Sequence, residues 1–230
     1  MSALIEAGNA LLDLLYPPKC YLCGQVGEFV CEDCVAAWPR PEEPRCPRCG
    51  EPLPIGSCGW CRDGIAPLAA AAFPYAYAEG VREVVHLLKY RGKRRVAAPM
   101  SAAMVRTAWD TPAFRGVDAI VPVGLHPRRI RQRGFNQSEW LAEEMSVLMN
   151  VPLGMWSIRT RHTRPQVGLS ALERKENMRG AFAATPEAAG RRILLVDDVS
   201  TTGATAREAA RELRDAGAHW VGLITFARDL

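Results

Sequence analysis

The chain has 230 residues, a net charge of +4 and 48% hydrophobic residues. That is long for one domain and modest for two, with enough apolar material for a real core, so an intrinsically disordered chain is excluded. No apolar run approaches the ~20 residues that cross a bilayer, which excludes a spanning helix.

The first segment, Ala3 to Tyr16, spaces Leu4, Ala7, Leu11, Leu12 and Leu15 as an amphipathic helix. Glu6 is the only charge before Asp13, so the basic start of a signal peptide is missing and a cytoplasmic protein is expected. All eight Cys follow, as four Cys-x-x-Cys pairs: Cys20/Cys23, Cys31/Cys34, Cys46/Cys49 and Cys58/Cys61. Each pair can turn two thiolates toward one ion, and two pairs complete a tetrahedral site. Disulfides are the competing explanation, but a cytoplasmic chain disfavours them. Sequential pairing closes short loops of seven residues (after Cys23) and eight (after Cys49), which favours Cys20/23/31/34 and Cys46/49/58/61 over a cross-braced arrangement. Two structural Zn²⁺ ions are expected, with no open position for catalysis. The region is small and Pro-rich, so metal rather than core should hold it. The expected organisation is an N-terminal helix over 1–19, a double zinc ribbon over 20–62, a linker from Asp63 to Pro67, and a larger domain over 68–230.

Beyond the linker, Phe73 to Ala78 alternates like an edge strand carrying Pro74. Glu79–Tyr90 and Arg95–Trp109 read as helices, and Asp118–Val123 as a short strand running into a loop, Gly124 to Arg129. Asn136 caps a helix to Met149, and Met155–Ile158 reads as another strand. Ile193–Val196 is a buried strand that stops at Asp197 and Asp198. The loop Ser200-Thr201-Thr202-Gly203 leads into a helix over Ala204–Ala216 ended by Gly217, and Trp220–Phe226 is the last strand. Alternating strands and helices predict an α/β domain with a largely parallel sheet, whose ligands bind beyond the carboxyl ends of the strands.

Free amides at a helix start, with hydroxyls and a Gly beside them, make a phosphate cradle. Two carboxylates just upstream suit the cis hydroxyls of a ribose. The stretch from Arg192 to Thr205 therefore reads as a site for a sugar 5′-phosphate, and it resembles the PRPP-binding motif of type I phosphoribosyltransferases. An acidic pair that merely caps a helix is the plainer explanation, but a cap needs one acid at the helix start.

Four further segments resemble the signature of ComF-type proteins. They are Leu88-Lys-Tyr-Arg-Gly92, Val121 to Arg129, Arg133-Gly-Phe-Asn-Gln137, and Thr163 to Ser170 with Glu173 to Gly180. That family joins an N-terminal zinc ribbon to a phosphoribosyltransferase domain and is associated with DNA uptake in natural transformation. The resemblance implies that Asp197 and Asp198 hold the ribose and are the catalytic pair. It implies that Ser200, Thr201, Thr202, Gly203, Ala204 and Thr205 bind the 5′-phosphate. Gly124, Leu125, Arg128 and Arg129 would meet pyrophosphate, and Thr163, Gln166, Arg174 and Asn177 would contact ligand from a mobile loop over Arg161 to Asn177. Mg²⁺ would accompany PRPP. Relatives often carry Pro where this chain has Gly124, which predicts a more pliable loop here. His126 reads as a loop hydrogen-bonder rather than a general base.

Between Leu125 and Pro165 seven Arg face three Glu, and a second basic knot spans Arg91 to Arg95. With Arg131, Arg133, Arg91, Arg94 and Arg95 as candidates, these clusters suit single-stranded DNA or a polyphosphate. Their Pro- and Gly-rich setting predicts loops rather than a solvated helix face. Three readings stay open: a Mg²⁺-dependent phosphoribosyltransferase with an acceptor the sequence does not identify, a non-catalytic accessory protein that binds single-stranded DNA beside other competence proteins, and a nucleobase-salvage enzyme.

Overall fold

The computed structural model describes residues 17–53, 58–62, 65–163 and 171–230. The expected N-terminal helix, Gln166 and the side chain of Arg174 lie outside the described residues.

The Cys-rich part is built from two copies of one device. At each, a tight hairpin brings the amide of a Gly back to the first Cys: Gly24 N to Cys20 O and Gly50 N to Cys46 O, both 2.8 Å. Gly24 and Gly50 take φ of +80° and +72°, a region that β-carbons disfavour. The second Cys pair of each copy sits on a helical turn, α1 (Glu32–Ala36) or α2 (Gly59–Arg62).

The larger part is a five-stranded sheet, entirely parallel. Its strands are β1 (Ala70–Ala72), β2 (Tyr75–Ala76), β3 (Ala119–Pro122), β6 (Arg192–Ser200) and β7 (Trp220–Arg228). Across the sheet, β1 and β2 pair with β7, then comes β6, then β3. Phe73 and Pro74 separate β1 from β2, and both pieces form the edge, where a missing N–H is tolerated. Outside the sheet, β4 (Ser157–Arg159) and β5 (Phe182–Ala184) form an antiparallel pair. The predicted strand at Met155–Ile158 therefore starts two residues later and does not join the parallel sheet.

Alternate residues of β6 feed opposite layers. Leu194 and Val196 pack with α3 (Val81–Arg91), α4 (Ala97–Trp109) and α6 (Gln137–Met149), while Ile193 and Leu195 pack with α8 (Ala204–Asp215). Both faces are covered, which is why β6 is apolar from Ile193 to Val196. The helices end where their signals stand: Asn136 caps α6 by accepting from Ser138 N, and Gly92 ends α3 in the left-handed region.

One expectation is overturned here. The segment Gly124–Arg129 is not all loop: Pro127 starts α5 (Pro127–Arg133), capped by His126, whose Nδ1 accepts from Arg128 N. Four of the clustered Arg are thus helical. The ribbon also shares the core of the larger part. Trp38 joins Tyr75 and Phe226 on one side of the sheet, and Trp60 joins the other. The second hairpin also lies along β1, with Ala71 N donating to Arg48 O and Arg48 Nε donating to Ala69 O.

Candidate phosphate and ribose site

At the carboxyl end of the sheet, β6 outruns its neighbour. β3 stops at Pro122 opposite Val196, but β7 keeps pairing with β6 as far as Ser200 opposite Arg228. The acidic pair is therefore inside a strand with one free edge, not after its end as the apolar run predicted. On that free side lies a cavity of ≈ 520 Å³, lined by Asp197, Asp198, Ser200, Thr201, Gly203, Ala204 and Thr205 from one stretch of chain. Leu125, Arg129, Lys89, Tyr90, Ser138 and Arg159 reach it from other elements. Gly203 takes φ of +74° and admits the first turn of α8, whose leading amides have no intrahelical partners.

The two acids differ. Asp197 Oδ1 accepts from Ser138 Oγ (2.7 Å) and from Asp198 N (2.9 Å). Burial and then the adjacent Asp198 carboxylate push its pKa up to about 7. Asp198 is 2% exposed; its Oδ1 accepts from Val199 N (2.8 Å) and pairs with Lys89 Nζ at 3.0 Å. Burial opposes the Lys89 charge, but Asp198 and Asp197 outweigh it and hold the ammonium above its ordinary range. Arg159, 6% exposed, donates to Thr163 Oγ1 (2.5 Å) and lies over the Phe182 ring. Burial, and then Arg129, lower its pKa to about 10.

Among the described residues, three buried polar atoms on this cavity's residues have no partner: Asp198 Oδ2, Ser200 Oγ and Arg159 Nε. Native proteins rarely leave such groups unmet. An acceptor, a hydroxyl and a cationic donor beside one hollow suit a ligand bearing both hydroxyls and negative charge.

Arg128 is exposed on α5, whereas Arg129 lines the cavity. Gly124 sits at a close backbone approach: a β-carbon there would meet Ser157 O and, at 2.9 Å, Arg159 N. Of the expected loop contacts, Thr163 is buried on Arg159, and Asn177 lies on α7 (Ala171–Met178), a helix rather than a loop. A second groove of ≈ 780 Å³ adjoins the cavity and shares Lys89, Tyr90, Arg129 and Arg133 with it. Arg91, Arg128, Phe135 and His162 also line it. Arg94 instead pairs with Glu143 at 2.7 Å, Arg95 lies over Phe29, and Arg131 is exposed on α5.

The eight thiols gather as Cys20/23/31/34 and Cys46/49/58/61, the sequential pairing. Sulfur separations of 3.8 and 3.5 Å in the first cluster, and 3.8 and 3.3 Å in the second, approach the edge of about 3.8 Å that a tetrahedral Zn–S distance near 2.3 Å implies. Burial and neighbouring thiols push Cys34 and Cys49 upward, so four thiolates need a cation to coexist. The residues fit Zn²⁺ at both sites.

Sequence reasoning left Lys89, Ser138 and Trp60 without roles. Lys89 lay inside a quoted motif; Ser138 and Trp60 carried no local signal, and Arg159 was counted only as charge.

A parallel sheet with an acidic pair and a glycine turn at its carboxyl end, joined to two Cys₄ clusters, defines a double zinc ribbon fused to a phosphoribosyltransferase fold. The double zinc ribbon domain matches residues 11–69, and the phosphoribosyl transferase domain matches residues 135–230. The chain is 34% identical to DNA utilization protein YhgH of Escherichia coli K12, over 94% of this chain and all of that one. It is 31% identical to competence protein F of Haemophilus influenzae, over 80% of this chain and 85% of that one. Among solved structures it is similar to glutamine PRPP amidotransferase from B. subtilis, at 21% identity, covering 56% of this chain and 26% of that one with a TM-score of 0.38. The chain belongs to the ComF/YhgH family. Among the described residues, no helix is long and apolar enough to cross a membrane.

Proposed function

We propose that the cavity binds PRPP or a related phosphorylated ribose, and that the chain serves DNA uptake as a phosphoribosyltransferase-type protein. The observation that carries this reading is a set of buried atoms with no partner among the described residues, Asp198 Oδ2, Ser200 Oγ and Arg159 Nε, beside the start of α8. In this reading Ser200 to Thr205 cradle the 5′-phosphate through backbone amides and hydroxyls. Asp197 and Asp198 accept from the ribose hydroxyls. Gly124, Leu125, Arg129 and Arg128 meet the pyrophosphate, where a guanidinium can bond two oxygens at once. The hard oxygens of Asp197 and Asp198 suit Mg²⁺, which when bound would neutralise charge on the leaving pyrophosphate. Thr163, Gln166, Arg174 and Asn177 are further candidate contacts.

The test is binding by calorimetry and thermal shift. PRPP with Mg²⁺ should raise the melting temperature, and Asp197→Asn with Asp198→Asn should abolish the rise. No shift at millimolar PRPP refutes the reading.

A second reading is supported by the ≈ 780 Å³ groove, where Arg91, Arg128, Arg129, Arg133 and Lys89 stand among Tyr90 and Phe135. Cations with interleaved rings suit single-stranded DNA, phosphates on the former and bases on the latter. Because this groove adjoins the cavity and shares Lys89, Tyr90, Arg129 and Arg133 with it, one protein offers a place to each ligand. DNA affinity should then fall steeply with salt, and Arg128→Ala with Arg133→Ala should flatten that slope. A salt-independent response rules it out.

A further inference from the structure

The second zinc knuckle touches the phosphate loop through one side chain. Trp60 is 9% exposed and stands on α2 beside the ligand Cys61. Its Nε1 donates to Thr202 O at 3.1 Å. Its ring occupies the space beside Gly203, where a β-carbon would come within 2.6 Å of the indole. Two guanidinium groups lie over that ring: Arg207 of α8 at 4.6 Å and Arg228 of β7 at 4.3 Å from its centroid. Arg228 is also paired with Glu51 of the knuckle hairpin at 2.7 Å. The indole thus meets the loop backbone, the start of α8 and the end of β7 together. The first knuckle has no such tie among the described residues; its neighbour Trp38 packs into the sheet with Tyr75 and Phe226.

What holds Trp60 itself is short. α2 has four residues, too few to persist without outside support. Its support is the four-thiolate closure, since Cys58 and Cys61 bracket Trp60. We propose that Trp60 is a positioning residue for the phosphate loop, and that the Cys46/49/58/61 zinc site sets the loop through it. This rests on the reading of the cavity as a sugar-phosphate site. The coupling runs both ways: if the knuckle orders the loop, a ligand on the loop must hold the knuckle, and with it one metal ion.

The experiment measures ribose 5-phosphate affinity by calorimetry, and zinc loss to a chromogenic chelator, on the full chain. In the wild type, saturating ribose 5-phosphate should slow the release of one of the two zinc equivalents and leave the other unchanged. Trp60→Ala should weaken ribose 5-phosphate by about tenfold or more and remove the protection of that zinc, because a loop displaced by even 1 Å loses phosphate geometry. Trp60→Phe, which keeps the ring and drops the N–H, should lose about threefold to tenfold, the worth of one hydrogen bond. If Trp60→Ala does not fold, Trp60→Phe and the wild-type release rates decide. Unchanged affinity in the variants, or release of both equivalents indifferent to ligand, overturns the clamp alone. A wild type that binds neither ribose 5-phosphate nor PRPP overturns the cavity reading and the clamp with it.

Discussion

Replacing Lys89 by Met separates the electrostatics of the acidic pair from its packing. The ammonium stands 3.0 Å from a carboxylate that is 2% exposed, and its own side chain is 22% exposed. Taking away one member of such a pair strands the other in a poor solvent, at a cost of about 3–5 kcal/mol. Val199 N remains as a donor to Asp198 Oδ1, which argues for the lower half of that range. For a chain of this size each kcal/mol moves the melting temperature by about 2–4 °C, so Lys89→Met should lower it by roughly 10 °C. Lys89→Met combined with Asp198→Asn should recover most of the loss, since the second change removes the stranded charge. The assay is urea unfolding of both variants by circular dichroism at neutral pH. A Lys89→Met variant within about 1 kcal/mol of wild type, the figure typical of exposed pairs, refutes the reasoning.

Other outcomes follow from the same geometry. Asp197 has a folded pKa of about 7, above its ordinary value, so its burial favours the protonated form and the ionised form is strained. Its contribution to stability should therefore fall as pH rises from about 4 to 7, a slope that Asp197→Asn erases in pH-dependent unfolding. Sugar-phosphate binding that needs the ionised acid should tighten over the same interval; identical pH profiles for wild type and Asp197→Asn would argue against it. Gly124→Ala should destabilise by about 1–3 kcal/mol because the new methyl group meets backbone of β4, and unfolding midpoints equal to wild type would refute that close approach. Cys49→Ser, at a fully buried thiol, should leave one zinc per chain by elemental analysis; two retained equivalents would contradict the pairing.

Much of this was legible before the fold was known, and the misses have physical causes. The four Cys pairs gave the metal clusters because their short loops leave little choice of partner. The helices over Val81–Arg91 and Gln137–Met149 were readable from one apolar stripe and a capping Asn. The strand carrying the acids was cut short because hydropathy ends at Val196, whereas the backbone continues to pair with β7 to Ser200. Polar side chains are tolerated there because β3 has already ended and the cavity lies alongside. The helix at Pro127 was hidden by a run of Arg that reads as a charged loop, although Pro at the first helical position was a start signal. Lys89 and Arg159 could not be assigned from spacing: one lies on α3 and the other on β4, and tertiary packing alone brings them beside Asp198 and Ser200.

The hydrogen bonds between Ala71, Ala69 and Arg48 bear on how the chain tolerates surgery. They occupy the outer rim of β1, a short row of alanines that would otherwise present bare amides and carbonyls to other molecules. Trimming the polypeptide back to its phosphoribosyltransferase-fold part would expose that rim and invite intermolecular strand addition. The Cys-rich segment thus caps the exposed border of its neighbour's sheet.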